Sequence, residues 1–342
     1  MNSDTVARVD DRGRRSWQLR TAILRSVSRS FYLSIRFLPR QLREPIALAY
    51  LLARTTDTVA DTTRVPGTVR MEALKMFSDG ILGKGSREMV VNQVASFVPL
   101  QENAAERTLL DSLPDCLEWL EQIGRADRDD IRAALEKITH GQMLDLHRFG
   151  DPTQVRALET AADLDEYTYL VAGCVGEFWT RLCFRHLRDF ATLVQDEMLA
   201  LGRSYGMGLQ LINVLRDAGT DLRAGRCYFP KDELGAIGLS AAQISSDRFQ
   251  PIYQRWMEKA QDGLACGMQY SRAIRNRRVR AATVLPALIG ARTLALLRKA
   301  GASALHQTIK VPRREVRAIV VSLAVHLASR SRIDAIFERA KQ

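Results

Sequence analysis

Gln210, Asn213, Asp217 and Asp221 are spaced three, four and four residues apart in Q-L-I-N-V-L-R-D-A-G-T-D-L-R-A-G-R-C-Y-F-P (210–230). On a helix this spacing puts two amides and two carboxylates on one stripe. The neighbouring positions Leu209, Leu211, Ile212, Val214 and Leu215 are apolar enough to be buried. A polar stripe on a buried helix is costly unless it lines a solvated or cation-filled space. A second segment repeats the design. Tyr50, Arg54, Asp57 and Asp61 stand four, three and four apart, beside an apolar face of Leu48, Leu51, Leu52, Thr55 and Val59. A lone i, i+4 aspartate pair is usually a solvated helix face. Two such pairs, each with an arginine nearby, point to Mg²⁺, a hard cation that takes one or two carboxylates, several waters and substrate phosphates. Facing pairs would each anchor magnesium with a diphosphate bridging them, and Arg29, Arg54, Arg216 and Arg226 would complete the anion cage through forked donors. The chemistry expected of such a site is departure of diphosphate from an allylic carbon, with the cation as Lewis acid and template.

Competing readings of the same carboxylates fail on residue type. A di-iron bundle needs Glu and Glu-x-x-His pairs, and the five histidines (140, 147, 186, 306 and 326) show no such pattern. His140 and His147 share a helix face without a third ligand in view. No G-x-x-x-x-G-K-[ST] phosphate loop and no G-x-G-x-x-G dinucleotide fingerprint is present. The net charge is +11, with basic clusters at Arg12–Arg15, Arg275–Arg280 and Lys310–Arg317. Nucleic acid, an anionic lipid surface and a phosphorylated substrate would each suit them, as would a plain solvated surface. Aromatics at 7% and the absence of a nucleic-acid motif argue against nucleic acid. The five cysteines are odd in number and lack zinc spacing, as expected for reduced, buried thiols. Residues 1–20 are too polar for a signal peptide, and the apolar run 318–328 is too short to span a membrane. The expected location is cytoplasmic, with peripheral contact at the inner face of the membrane.

Helical periodicity accounts for nearly all of the chain. Helices are expected over 17–31, 44–62 (with Pro45 in the opening turn), 69–82, 102–123, 129–148, 163–186, 190–222, 241–274, 279–299 and 313–340. Turns are expected at Pro66-Gly67, 83–86 and Asp151-Pro152. Gly202, Gly206 and Gly208 cost helix propensity, so a neighbour or ligand should approach closely there. There is no strand alternation and no repeat of 20–50 residues. The prediction is one all-α domain over 17–342 behind a flexible segment 1–16.

Four segments together resemble the squalene/phytoene synthase family, the head-to-head trans-isoprenyl diphosphate synthases: S-V-S-R-S-F (26–31), Y-L-L-A-R-T-T-D-T-V-A-D (50–61), Y-T-Y-L-V-A-G-C-V-G (167–176) and the stretch 208–230. They occur in family order across most of residues 20–300. The resemblance implies the isoprenoid synthase fold with a central active-site cavity. It matches Asp57, Asp61, Asp217 and Asp221 to magnesium ligands and to catalysis. Arg29, Arg54, Gln210, Asn213, Arg216 and Arg226 match diphosphate-binding positions, with Asn213 also at the metal. Tyr167 matches a tyrosine that handles a proton or carbocation, and Phe31, Tyr50, Val171 and Leu211 match the cavity wall. Ala60 and Thr62 depart from the pattern, standing where a further acid is common. The implied reaction joins two farnesyl diphosphates to presqualene diphosphate. NADPH-dependent reduction to squalene follows, with Lys310, Arg313 and Arg314 meeting the cofactor's phosphate. Dehydrosqualene or phytoene formation without reduction is the alternative, and a non-catalytic scaffold with this fold is the remote one.

Overall fold

The computed structural model describes residues 22–150 and 153–342, without the side chains of Arg29 and Ser30. The expected flexible segment 1–16, the start of the first expected helix, the cluster Arg12–Arg15 and the turn at Asp151-Pro152 lie outside the described residues. Contacts gather into two compact units, residues 1–146 and 147–342.

In the first unit, helices α1 (Leu24–Val27) and α2 (Arg29–Phe37) are separated by Ser28, so S-V-S-R-S-F is a helix junction and not a helix end. Helix α3 (Arg40–Ala60) begins four residues before the expected start, which leaves Pro45 inside it. It buries Leu42, Ile46, Leu48, Leu51, Leu52, Thr55 and Val59, the apolar face read from the sequence. Helices α4 (Gly67–Ile81), α5 (Arg87–Ala95), α6 (Ala104–Asp111), α7 (Leu113–Gln122) and α8 (Arg125–Phe149) follow. The single helix expected over 102–123 is broken at Ser112, where Pro114 opens the next helix. Proline is tolerated there because the first-turn N–H groups have no intrahelical acceptor. Helix α3 packs against α4, α6 and α7.

The second unit is built on α11 (Gln195–Arg223). Before it come strand β1 (Arg156–Leu158), α9 (Ala161–Thr168) and α10 (Cys174–His186). A widened π turn, Tyr169–Gly173, joins α9 to α10 and interrupts the helix expected over 163–186. After α11 come β2 (Arg226–Pro230), α12 (Lys231–Ala236), α13 (Gln250–Ala273), α14 (Arg277–Ala300), α15 (Arg313–Val325) and α16 (Arg330–Ala340). Helix α11 packs against α10, α13 and α14. The close approach expected of its glycines is to neighbouring backbone. A Cβ on Gly206 would lie 2.3 Å from the Ala172 carbonyl of the π turn, and Gly202 and Gly208 abut Gly176 and Gly263.

The fold is all-α as read in the sequence, with one short strand pair added among the described residues. Strands β1 and β2 pair in parallel, Arg156 with Arg226 and Ala157 with Cys227. They are too short for alternation to register. The 313–340 helix is also split, at residues 326–329. Among the described residues one helical segment, Arg277–Leu305, is long and apolar enough by length and composition to cross a bilayer, and 78% of its most apolar window is buried within the fold.

Candidate active site

Asp57 lies in the last turn of α3, and Asp61 is its C-terminal cap, with its N–H bonded to the Asp57 carbonyl at 2.9 Å. Carboxylates are poorly placed at a helix C-terminus, where the backbone dipole favours cations. The compensation comes from neighbours. Gln142 of α8 donates its Nε2 to Asp57 Oδ1 at 2.5 Å. Arg54 Nη1 stands 3.8 Å from Asp57 Oδ2, and its Nη2 donates to Glu106 of α6 at 2.6 Å. Although 45% of the Asp57 side chain is reached by solvent, desolvation is the largest influence on its carboxyl and Asp61's like charge the next. Together they push it from 3.8 up to about 6 against the pull of Arg54 and Gln142. Tyr50 donates to the Val27 carbonyl at 3.1 Å and stacks on Phe31 with ring centroids 4.9 Å apart. Burial pushes its hydroxyl up to about 12. Arg29 opens α2, and its side chain lies outside the described residues.

The α11 stripe is hydrogen-bonded from Gln210 to Asp217. Asn213 donates to Gln210 Oε1 at 3.2 Å, and Arg216 Nη1 donates to Asn213 Oδ1 at 3.0 Å. Arg216 also forks onto Asp217, at 3.0 Å from Nε and 2.5 Å from Nη2. One turn on, Asp221 is nearly buried and accepts from Arg226 at 2.7 Å. Gly225 makes that last contact possible. At φ +79° it reverses the chain after α11 so that Arg226 returns to Asp221 and enters β2.

Tyr167, on α9, stacks on Tyr228 of β2 at 4.9 Å. Val171 is half-buried in the π turn, a feature often found at functional sites. Leu211 is 4% exposed, in the packed interior of its unit. Lys310, Arg313 and Arg314 are all exposed where α15 begins. The residues missed in the sequence are the partners: Gln142, Glu106 and Tyr228. Gln142 and Asp145 are polar at i, i+3 beside Leu135, Ile138 and Leu146 of α8, a weaker form of the signal that marked the aspartates.

The donors suit a hard divalent cation. They are carboxylate and amide oxygens, with no thiolate or imidazole among them. Among the described residues, Asp57 Oδ2 accepts no hydrogen bond, and Gln142 Oε1 is buried without a partner. No three His, Cys, Asp or Glu side chains gather as a metal cage among the described residues. For NADPH the fit is narrower: three exposed cations at a helix N-terminus match a phosphate, and nothing about them selects a nicotinamide.

The squalene/phytoene synthase family model matches residues 24–315. A bifunctional lycopene cyclase/phytoene synthase of Leptosphaeria maculans is 30% identical over 233 residues, 67% of this chain and 36% of the relative. The squalene synthase of Saccharomyces cerevisiae is 29% identical over 212 residues, 61% of this chain and 44% of the relative. The chain thus spans less than half the length of these curated relatives. Among solved structures, TcSQS in complex with the ligand BPH1237 has a TM-score of 0.73 at 20% identity, covering 95% of this chain and 97% of that one. The match over 24–315 takes in both aspartate helices, the π turn and β2, and the chain belongs to the squalene/phytoene synthase family.

Proposed function

We propose that the chain joins two farnesyl diphosphates head to head to presqualene diphosphate and then converts that product to squalene. The observation that carries the reading is the repeated device itself: an i, i+4 aspartate pair at a helix C-terminal end, with an arginine at ion-pair distance, present once on α3 and once on α11. Bound magnesium, held by Asp57, Asp61, Asp217, Asp221 and Asn213, would supply Lewis acidity toward the leaving diphosphate. Arg54, Arg216 and Arg226 neutralise and orient that diphosphate, with Gln210 fixing Asn213. Arg29 belongs to the same set by its match to the family.

One farnesyl diphosphate loses diphosphate, and its C1 cation is attacked by the 2,3 double bond of the second. Loss of a proton closes the cyclopropane. Tyr167, which stacks on Tyr228, would pass that proton to the released diphosphate. Phe31, Tyr50, Val171 and Leu211 supply apolar surface that keeps water from the cations. In the second stage the cyclopropylcarbinyl cation rearranges after the remaining diphosphate departs. NADPH, meeting Lys310, Arg313 and Arg314 through its phosphate, would supply the hydride that ends the sequence. Peripheral contact with a membrane would then receive the hydrocarbon.

The similarity to a phytoene synthase favours a second reading, in which the final cation loses a proton and no reductant is used. Incubating the chain with farnesyl diphosphate and Mg²⁺, with and without NADPH, and identifying the hydrocarbon separates the two. Squalene formed only with NADPH is the expected result. Dehydrosqualene formed regardless of NADPH would replace the first reading with the second.

A further inference from the structure

Gln142 lies on α8, outside every segment that carries the family resemblance, and is 7% exposed. Its Nε2 donates to Asp57 Oδ1 at 2.5 Å. The orientation of the amide follows from its partner: turned over, it would set one acceptor oxygen against another. Two consequences come from this contact. Asp57 Oδ1 is occupied by a neutral donor, while Oδ2 accepts no hydrogen bond among the described residues, since Arg54 stands back at 3.8 Å and gives its short bond to Glu106. The other end of the amide, Oε1, is buried without a partner, although buried acceptors are nearly always satisfied. A neutral donor suits a cation ligand better than an arginine would, because it orients the carboxylate without cancelling its charge.

We propose that Gln142 is a positioning residue for divalent-cation binding by Asp57. Its amide N–H holds Oδ1, which leaves Oδ2 as the single oxygen offered to the cation, and its Oε1 accepts from an ordered water beside the carboxylate. One oxygen per carboxylate is the mode a small octahedral cation prefers, and the partners that orient ligands typically govern metal affinity by about 10- to 100-fold. The inference rests on the reading of Asp57 as a cation ligand.

The test is a Mn²⁺ titration of the full chain in the presence of inorganic diphosphate, followed by electron paramagnetic resonance with no turnover involved. Gln142→Met keeps the volume and removes both polar ends; Gln142→Leu is the second variant should the first not fold. The expected result is a rise of about 10- to 100-fold in the Mn²⁺ midpoint. The metal-free melting temperature should be little changed, because Met fills the same volume and the 45%-exposed Asp57 carboxylate can take a water in place of the amide. In turnover assays the Mg²⁺ requirement should rise by a similar factor, with kcat at saturating Mg²⁺ within a few-fold of wild type. A midpoint within twofold of wild type in a folded variant overturns the proposal, as does a lowered melting temperature with an unchanged midpoint. Asp57→Asn in the same titration separates the two levels. If it binds Mn²⁺ like wild type, the cation reading of Asp57 fails. If it loses binding while Gln142→Met does not, only the role of Gln142 fails.

Discussion

The two aspartate helices use the same spacing and balance their charge differently. On α11, Asp217 is gripped by both arms of Arg216, and Asp221 is held by Arg226 at 2.7 Å. That stripe is hydrogen-bonded from Gln210 to Asp217, and Asp221 with Arg226 forms a separate pair. On α3, Asp57 has an amide on one oxygen and an arginine 3.8 Å from the other, and it shares the helix end with Asp61. Each pair places negative charge at the negative end of a helix; on α11 both carboxylates bond an arginine within five residues, and on α3 Arg54 stands 3.8 Å from Asp57. The carboxylates of α11 are paired with arginines at short range, while Asp57 of α3 is oriented by a neutral amide with its arginine set back, which under the proposed function leaves its charge in reserve for a cation. This asymmetry can be broken or sharpened by substitution.

The largest effect expected is on turnover. Asp57→Asn, Asp217→Asn and Asp221→Asn should each lower diphosphate release from farnesyl diphosphate by about 10³-fold or more, as expected when a group that stabilises developing charge is removed. Equal losses on the two helices would show that both pairs serve one ionisation. A loss confined to α11 would break the comparison.

Stability should separate the pairs by sign. Asp221→Asn leaves the half-buried Arg226 without its carboxylate and should cost about 1–3 kcal/mol in metal-free protein. Asp57→Asn removes a carboxyl that desolvation and Asp61 make unfavourable, so it should raise the metal-free melting temperature at pH 7.5. A fall on Asp57→Asn would contradict the reserve of charge assigned to α3.

The same difference has a pH signature. The folded-state value of Asp57 is raised from 3.8 to about 6, so the folded protein binds this proton more tightly than the unfolded chain. The penalty is absent below about 3.8, grows as pH rises between the two values, and is complete above about 6. The melting advantage of Asp57→Asn should therefore shrink as pH falls from 7.5 toward 4. Protons should compete with divalent cations below about pH 6. An advantage independent of pH would dissociate it from titration of Asp57.

The smallest effect expected is at Glu106. Glu106→Gln weakens a charge-assisted bond to Arg54 and should alter activity by only about 2- to 10-fold, chiefly in KM for the diphosphate substrate. A loss as large as that of Asp57→Asn would make Glu106 part of the reaction itself.

Much of this was legible in the chain, for a physical reason. The polar stripes of α3 and α11 are local, fixed by 3.6-residue periodicity and by apolar neighbours that had to be buried. Gly202, Gly206 and Gly208 likewise announced close backbone contact, and the neighbours proved to be Gly176, Ala172 and Gly263. Non-local detail was not legible. Gln142 meets Asp57 across 85 residues of sequence, and a lone buried glutamine looks like any core amide. The π turn at Tyr169–Gly173 inserts one residue's worth of backbone without a Pro or a charge to mark it. The β1–β2 pair is fixed by the turn at Gly225 and by burial of Cys227, Tyr228 and Phe229, too short a run for alternation to show. The splits at Ser112 and at 326–329 fall where apolar periodicity runs on but the backbone does not.

The most direct test of the central claim, that both aspartate pairs serve one magnesium-dependent ionisation, is diphosphate release from farnesyl diphosphate by the full chain after chelator treatment. Mg²⁺ is added back stepwise to wild type, Asp57→Asn and Asp217→Asn. The expected result is no release in chelator, recovery with Mg²⁺ in wild type, and loss of that recovery in both variants. Release that persists in chelator, or recovery in either variant that matches wild type, would contradict it.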